Sequence, residues 1–154
     1  MKRKKPKVGK AKVAKPKVAM PKPAEREAVV AERVEAPVPY LLLRMSGVID
    51  ESSMPGLFEQ AGANVLAAKA KRVLVDLRDC TVQLSISDMH GLVKMIAGAF
   101  VGSVERLSLL LQARDLLPEK FVEPALNSRG LLTLATDDYD EAVYWIASKL
   151  PPRR

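Results

Sequence analysis

Short apolar runs alternate along this chain with longer stretches in which apolar residues recur at helical spacing. The apolar runs lie at residues 40–45, 72–77, 107–111 and 131–135. Each run has the length of a strand, and each is bounded by polar residues, glycine or proline, so the pattern predicts four strands. The two central runs are almost continuously apolar, which indicates strands that are buried on both faces.

The stretches between the runs predict helices over residues 52–70, 87–100, 118–126 and 137–149. Pro55 suits the first turn of the first of these, because proline lacks only a donor that is unsatisfied there in any case. The acidic residues that open the last stretch favour the positive end of a helix dipole.

The strand–helix alternation predicts an α/β domain with a four- or five-stranded, mixed and mostly parallel sheet and about four helices. Parallel sheets of this kind place ligand and partner sites at the carboxyl ends of their strands. In this sequence those ends fall at residues 76–79, 112–115 and 136–138.

The residues before Tyr40 differ in composition from the rest of the chain. Residues 1–24 contain ten basic and no acidic side chains, whereas the remaining residues carry 15 basic and 18 acidic ones, so the net charge of +7 comes from the start of the chain. Repelling charges and frequent prolines predict that residues 1–39 are a disordered basic tail and linker, followed by a domain over residues 40–150. Within the linker, residues 25–35 fit either a short helix or an edge strand.

The basic tail predicts non-specific contact with polyanions such as nucleic acid, because each phosphate neutralised releases condensed counterions. No aromatic residue precedes Tyr40, so base stacking cannot contribute and binding would not depend on sequence. A tail that only confers solubility is the alternative. The residues predicted to contact polyanions are Lys2, Arg3, Lys4, Lys5, Lys7, Lys10, Lys12, Lys15, Lys17 and Lys22.

The sequence lacks the residue patterns of nucleotide-binding and metal-binding proteins. The glycines are scattered, no phosphate-binding loop occurs, and one histidine with one cysteine leaves too few ligands for a metal site. We therefore expect no enzyme activity, no cofactor and no metal. No apolar stretch is long enough to span a membrane, and no signal sequence follows the basic start, so we expect a cytoplasmic protein.

Cys80 and His90 are the residue types of a cysteine nucleophile with its base, which must lie within hydrogen-bond reach of each other. The simpler interpretation treats Cys80 as a small, semi-buried residue and His90 as a half-exposed residue of the second helix. The sequence shows no motif that would join them, so the simpler interpretation is preferred.

Three segments resemble the SpoIIAA-like branch of the STAS family, and together they cover residues 40–150. They are Arg44–Asp50, Val73–Arg78, and an Asn-Ser-Arg-Gly turn at 127–130 that is followed by a helix with Glu-Ala-Val-Tyr-Trp at 141–145. The resemblance implies a non-enzymatic regulatory or adaptor domain that binds a protein partner. A relation of this branch to lipid carriers also implies a small apolar ligand or lipid as an alternative.

In better-studied STAS proteins, a serine at the start of the second helix is phosphorylated. The corresponding segment here is Asp88-Met-His-Gly-Leu92, in which His90 takes the place of that serine. The resemblance and the carboxyl-end rule together select a candidate partner-binding set that consists of Arg78, Ser85, Ser87, Asp88 and His90. A third hypothesis is a nucleoid-associated protein that acts through its tail, and the sequence leaves the oligomeric state open.

Overall fold

A computed structural model describes residues 28–114 and 121–148. These residues form five strands and four helices. In chain order the elements are β1 (Ala28–Val34), β2 (Tyr40–Ile49), α1 (Met54–Ala68), β3 (Arg72–Val82), α2 (Ile86–Phe100), β4 (Arg106–Leu110), α3 (Val122–Asn127), β5 (Leu132–Thr136) and α4 (Tyr139–Ala147).

The five strands form one sheet in the order β1-β2-β3-β4-β5. β1 pairs antiparallel with β2, and every other neighbouring pair is parallel. The α/β class and the mixed, mostly parallel sheet predicted from the alternation are therefore confirmed. Continuous apolar runs form the central strands because helices cover both sheet faces.

The two faces of the sheet are covered unequally. One face meets α1, α2 and α3 in the main core, to which the strands contribute residues such as Leu43, Val75 and Leu109. The opposite face packs against α4 through a smaller cluster that includes Leu42 and Leu74.

β1 resolves the alternative that the sequence left open for residues 25–35, because Ala28–Val34 forms an edge strand. The predicted boundary at residue 40 excluded this strand, whereas the sheet begins at Ala28. The reason is that pairing with β2 supplies the ladder that a short, charged segment cannot form by itself. Residues 1–27, which include the predicted polyanion contacts, lie outside the described residues.

β2 and β3 are longer than their apolar runs predicted. A register shift between Arg44 and Ser46 lets the two strands stay paired as far as Ile49 and Val82. Residues 76–79, predicted to end a strand, consequently lie inside β3. Their charged side chains interrupt the apolar run, but Leu77 and the following Cys80 remain in the main core.

The free edge of β5 is closed by side chains of α3. The Asn127 Oδ1 accepts a hydrogen bond from the Thr133 amide at 2.7 Å, and the Glu123 carboxylate accepts one from the Ala135 amide. The two amides lie at alternate positions of the strand, so they are the donors that an added strand would otherwise use. α3 therefore occupies this edge.

We expect Asn127→Ala to lower the free energy of unfolding by about 1–3 kcal/mol, because it leaves the amide of the buried Thr133 without an acceptor. Asn127→Asp is the matched control, since it keeps an oxygen at the same position and should lose less. Urea denaturation of the three proteins measures both effects. Equal losses in the two variants would contradict the role given to the Oδ1 atom.

Candidate functional site

The predicted partner-binding residues fall into two places. Ser85, Ser87, Asp88 and His90 lie at the start of α2, on the face of the sheet that carries the main core. Arg78 lies on β3 and faces the first turn of α4, where it approaches Tyr139. The structure therefore brings four of the five residues together and places the fifth in a separate polar network.

The start of α2 is fixed by a reciprocal capping box. The Ser85 Oγ accepts a hydrogen bond from the Asp88 amide at 3.2 Å, and the Asp88 carboxylate accepts one from the Ser85 amide at 2.9 Å. The hydroxyls of Ser85 and Ser87 lie 3.0 Å apart. Two otherwise orphaned amides are satisfied in this way, which holds the turn in one conformation.

Ile86 is the first residue of α2, and 77% of it is exposed. It lies between Ser85 and Ser87, so a large apolar side chain projects from a polar, rigid turn. Sequence reasoning missed this residue because the second helix was predicted to begin at residue 87, which left Ile86 in the preceding segment. It is exposed because the first turn of α2 lies outside the core, and Met89 is the first buried residue of the helix.

His90 and Cys80 lie in different environments. Cys80 is buried in β3 within the main core, whereas His90 is exposed on α2. The exposed histidine agrees with its interpretation as a surface residue of the second helix.

Arg78 is held by Asp76. Its Nε and terminal nitrogen donate to the two oxygens of the Asp76 carboxylate at 3.0 and 2.9 Å, and its amide donates to the same group. This bidentate hydrogen bonding raises the pKa of Arg78 above its ordinary value. The guanidinium also lies 5.7 Å from the centre of the Tyr139 ring, and its side chain is 45% exposed.

Tyr139 extends this network into the smaller core cluster. Its hydroxyl lies 3.3 Å from that of Tyr40, which is itself buried. Burial and this hydrogen bond raise the pKa of the Tyr40 hydroxyl above its ordinary value. The chain of contacts from Asp76 to Tyr40 attaches the first turn of α4 to the sheet, which gives Arg78 a positioning role.

A groove of about 590 Å³ runs along the outer surface between α1 and α2. The helices approach closely where Gly62 faces Ala99, since a Cβ added to the glycine would lie 3.5 Å from the alanine. Phe58, Leu66 and Met95 line the groove, with Glu59 and Lys94 beside them. The groove is open to solvent and apolar at its base.

Two further properties concern the described part of the chain alone. No three histidine, cysteine, aspartate or glutamate side chains come together there in a way that would hold a metal ion. Within the same residues, none of the helices has the length and apolar character needed to cross a membrane.

The fold is similar to that of a known structure. An uncharacterized protein of the DUF3478 family from Shewanella loihica PV-4, which has a SpoIIAA-like fold, superimposes with a TM-score of 0.53 at 14% sequence identity. The similarity covers 83% of this chain and 99% of that one. No protein-family model and no curated protein matches this sequence. The chain therefore has a SpoIIAA-like fold, as the resemblance predicted.

We expect Ser85→Ala to lower the free energy of unfolding by about 1 kcal/mol, because it removes the acceptor of the capping box. Ser87→Ala is the matched control, since its hydroxyl accepts no bond from a helix amide and its loss should cost less. Thermal unfolding followed by circular dichroism compares them. A larger effect of Ser87→Ala would contradict the assignment of Ser85 as the cap.

Proposed function

We propose that this chain is a non-catalytic regulatory or adaptor module that binds a protein partner at the start of α2. The observation that carries the proposal is the exposed Ile86, which stands between two serines on a turn fixed by the capping box. Protein contact surfaces place apolar groups at their centre and polar groups at their rim. Ile86 is the apolar centre of this surface, and Ser85, Ser87 and His90 form part of its rim.

The rigidity of the turn supports a binding role. The hydrogen bonds between Ser85 and Asp88 fix the backbone on both sides of Ile86 before any partner arrives. A contact surface that is already ordered loses less conformational entropy on binding than a flexible loop does. The same bonds engage the Asp88 carboxylate, so this residue acts by positioning its neighbours.

The groove between α1 and α2 bears on the alternative of a small apolar ligand. That alternative predicts a closed cavity between the sheet and the helices. The groove instead lies on the outer surface between two helices and is open along its length. An open apolar groove suits a protein segment better than a small molecule, which needs most of its surface covered.

A second candidate function rests on the charge of residues 1–24. Ten basic side chains with no acidic one form a segment that would bind polyanions by counterion release. In this function the tail holds nucleic acid and the domain recognises a protein. The two activities use different parts of the chain, so each can be removed without the other.

We expect Ile86→Asp to abolish retention of a protein partner by the immobilised full-length chain. A charge at the centre of the surface would have to be desolvated on binding. Leu66→Asp is the control, because Leu66 is 66% exposed and lies in the groove instead. Quantitative mass spectrometry of cell extract identifies proteins kept by the wild type, and titration with the purified partner then gives its affinity. Loss in Leu66→Asp alone would move the contact surface to the groove.

We expect binding of a DNA duplex to vanish when residues 2–24 are deleted, while the circular dichroism spectrum keeps its helix and strand signals. In the full chain, the logarithm of the binding constant should fall with the logarithm of salt concentration by about 0.9 for each phosphate neutralised. A scrambled tail of the same composition is the control and should bind equally well. Binding that survives the deletion, or that depends on tail order, would contradict this function.

A further inference from the structure

The two edges of the sheet differ in how their backbone groups are satisfied. On β5, side chains of α3 occupy the outward amides of Thr133 and Ala135. On β1, within the residues that the structure describes, the backbone makes no hydrogen bonds other than its ladder with β2. About half of the polar groups of β1 therefore point outward along seven residues, which is the arrangement that accepts another strand.

Two side chains of β1, together with one of β2, are exposed on the same face of the sheet. Val30 is 60% exposed and pairs in register with the exposed Arg44 of β2. Glu32 projects from the same sheet face, two residues along, and is exposed as well. Neither Arg44 nor Glu32 forms an ion pair within the described ranges. An apolar group and two opposite charges thus lie together beside an open edge.

We propose that β1 pairs with β1 of a second copy of this chain, antiparallel and about a two-fold axis at Ala31. The sheet then continues through both subunits. In this register Ala31 lies opposite its own copy, and Val30 lies opposite the partner's Glu32. Each subunit fills the open edge of the other, and the contact needs no group outside this chain.

The charges of Arg44 and Glu32 favour an axis at Ala31 over an axis at either neighbouring residue. With the axis at Glu32, the two glutamates would face each other directly, and like charges in that position repel. With the axis at Val30, the two copies of Val30 would face each other. The row of side chains across both subunits would then have Arg44 at each end and no carboxylate between the two arginines. The Ala31 axis instead produces a row of Arg44, Val30 and the partner's Glu32, in which opposite charges flank the exposed valine.

The dimensions of a sheet allow this contact. Neighbouring strands lie about 4.8 Å apart, so the Cα atoms of Arg44 and the partner's Glu32 are roughly 10 Å apart. An arginine and a glutamate can close that distance while their aliphatic parts cover the valine. Seven-residue edge pairing buries less area than a standard interface, so the dimer should be weak and concentration-dependent.

Charge reversal in the full-length chain tests the proposal by sedimentation equilibrium. Glu32→Lys or Arg44→Glu alone should weaken dimerisation by about tenfold, because each creates two repulsive rows per dimer. The double variant, which carries both substitutions, again places opposite charges on either side of Val30 and should recover the wild-type association. Equal thermal midpoints of the four proteins would show that the folded subunit is unchanged.

Disulfide cross-linking tests the register separately. The Cβ atoms of residue 31 should lie about 5 Å apart across the axis, so Ala31→Cys should form a dimer under mild oxidation. Ala28→Cys is the matched control, because its two copies should lie roughly 20 Å apart. The wild type controls for Cys80, which is buried.

A chain that stays monomeric up to its solubility limit would overturn the proposal. So would a dimer that is unchanged by both single reversals, or an Ala28→Cys variant that cross-links more readily than Ala31→Cys does. Because none of these measurements involves Ile86, failure here leaves the proposed partner surface untouched.

Discussion

The central strands of this sheet have both faces covered, and this requirement organises the rest of the molecule. β3 and β4 place Val75 and Leu109 on one face and Leu74 and Leu110 on the other, all of them fully buried. A sheet with two apolar faces cannot be stable in water unless helices cover both. Among the residues that the structure describes, three helices cover one face and α4 covers part of the other.

Polar residues on the sheet face that packs against α4 show how far this helix covers the face. Under α4, the Ser108 hydroxyl donates to the Ala142 carbonyl at 2.8 Å, and Arg72 donates to carbonyls at the end of the helix. Beyond α4, Asp76 is paired with Arg78, and Arg44 reaches solvent. A buried polar group needs a partner, whereas an exposed one does not. The polar residues of β2 and β3 on this face therefore mark where the cover by α4 ends, as far as the described residues show.

The sequence predicted the elements well and the site only in part, for physical reasons. Apolar runs report burial, so they identified the central strands, and the resemblance identified the SpoIIAA-like fold that the structural comparison shows. The same signal is lost where charged residues enter a strand, so residues 76–79 were predicted to end a strand and instead lie inside β3, with Leu77 still in the main core. Arg78 was grouped with Ser85 by the resemblance and the carboxyl-end rule, but Arg78 lies on the face of the sheet that meets α4. Ile86 was missed because the helix was predicted to begin at residue 87, whereas the capping box at Ser85 starts it at Ile86.

The surfaces proposed for binding are physically separate, which permits one chain to use them together. α1 packs against β1 and also against α2, so it lies between the edge strand and the turn that carries Ile86. Pairing through β1 would leave that turn exposed in both subunits.

Pairing through β1 would also place two copies of the basic residues 1–24 on one assembly, since each tail precedes its β1 by only a few residues. Two tethered cationic segments that meet the same polyanion bind with a higher effective concentration than one. A weak edge pairing and a sequence-independent tail would then reinforce each other, because a polyanion that engages both tails holds the two subunits together.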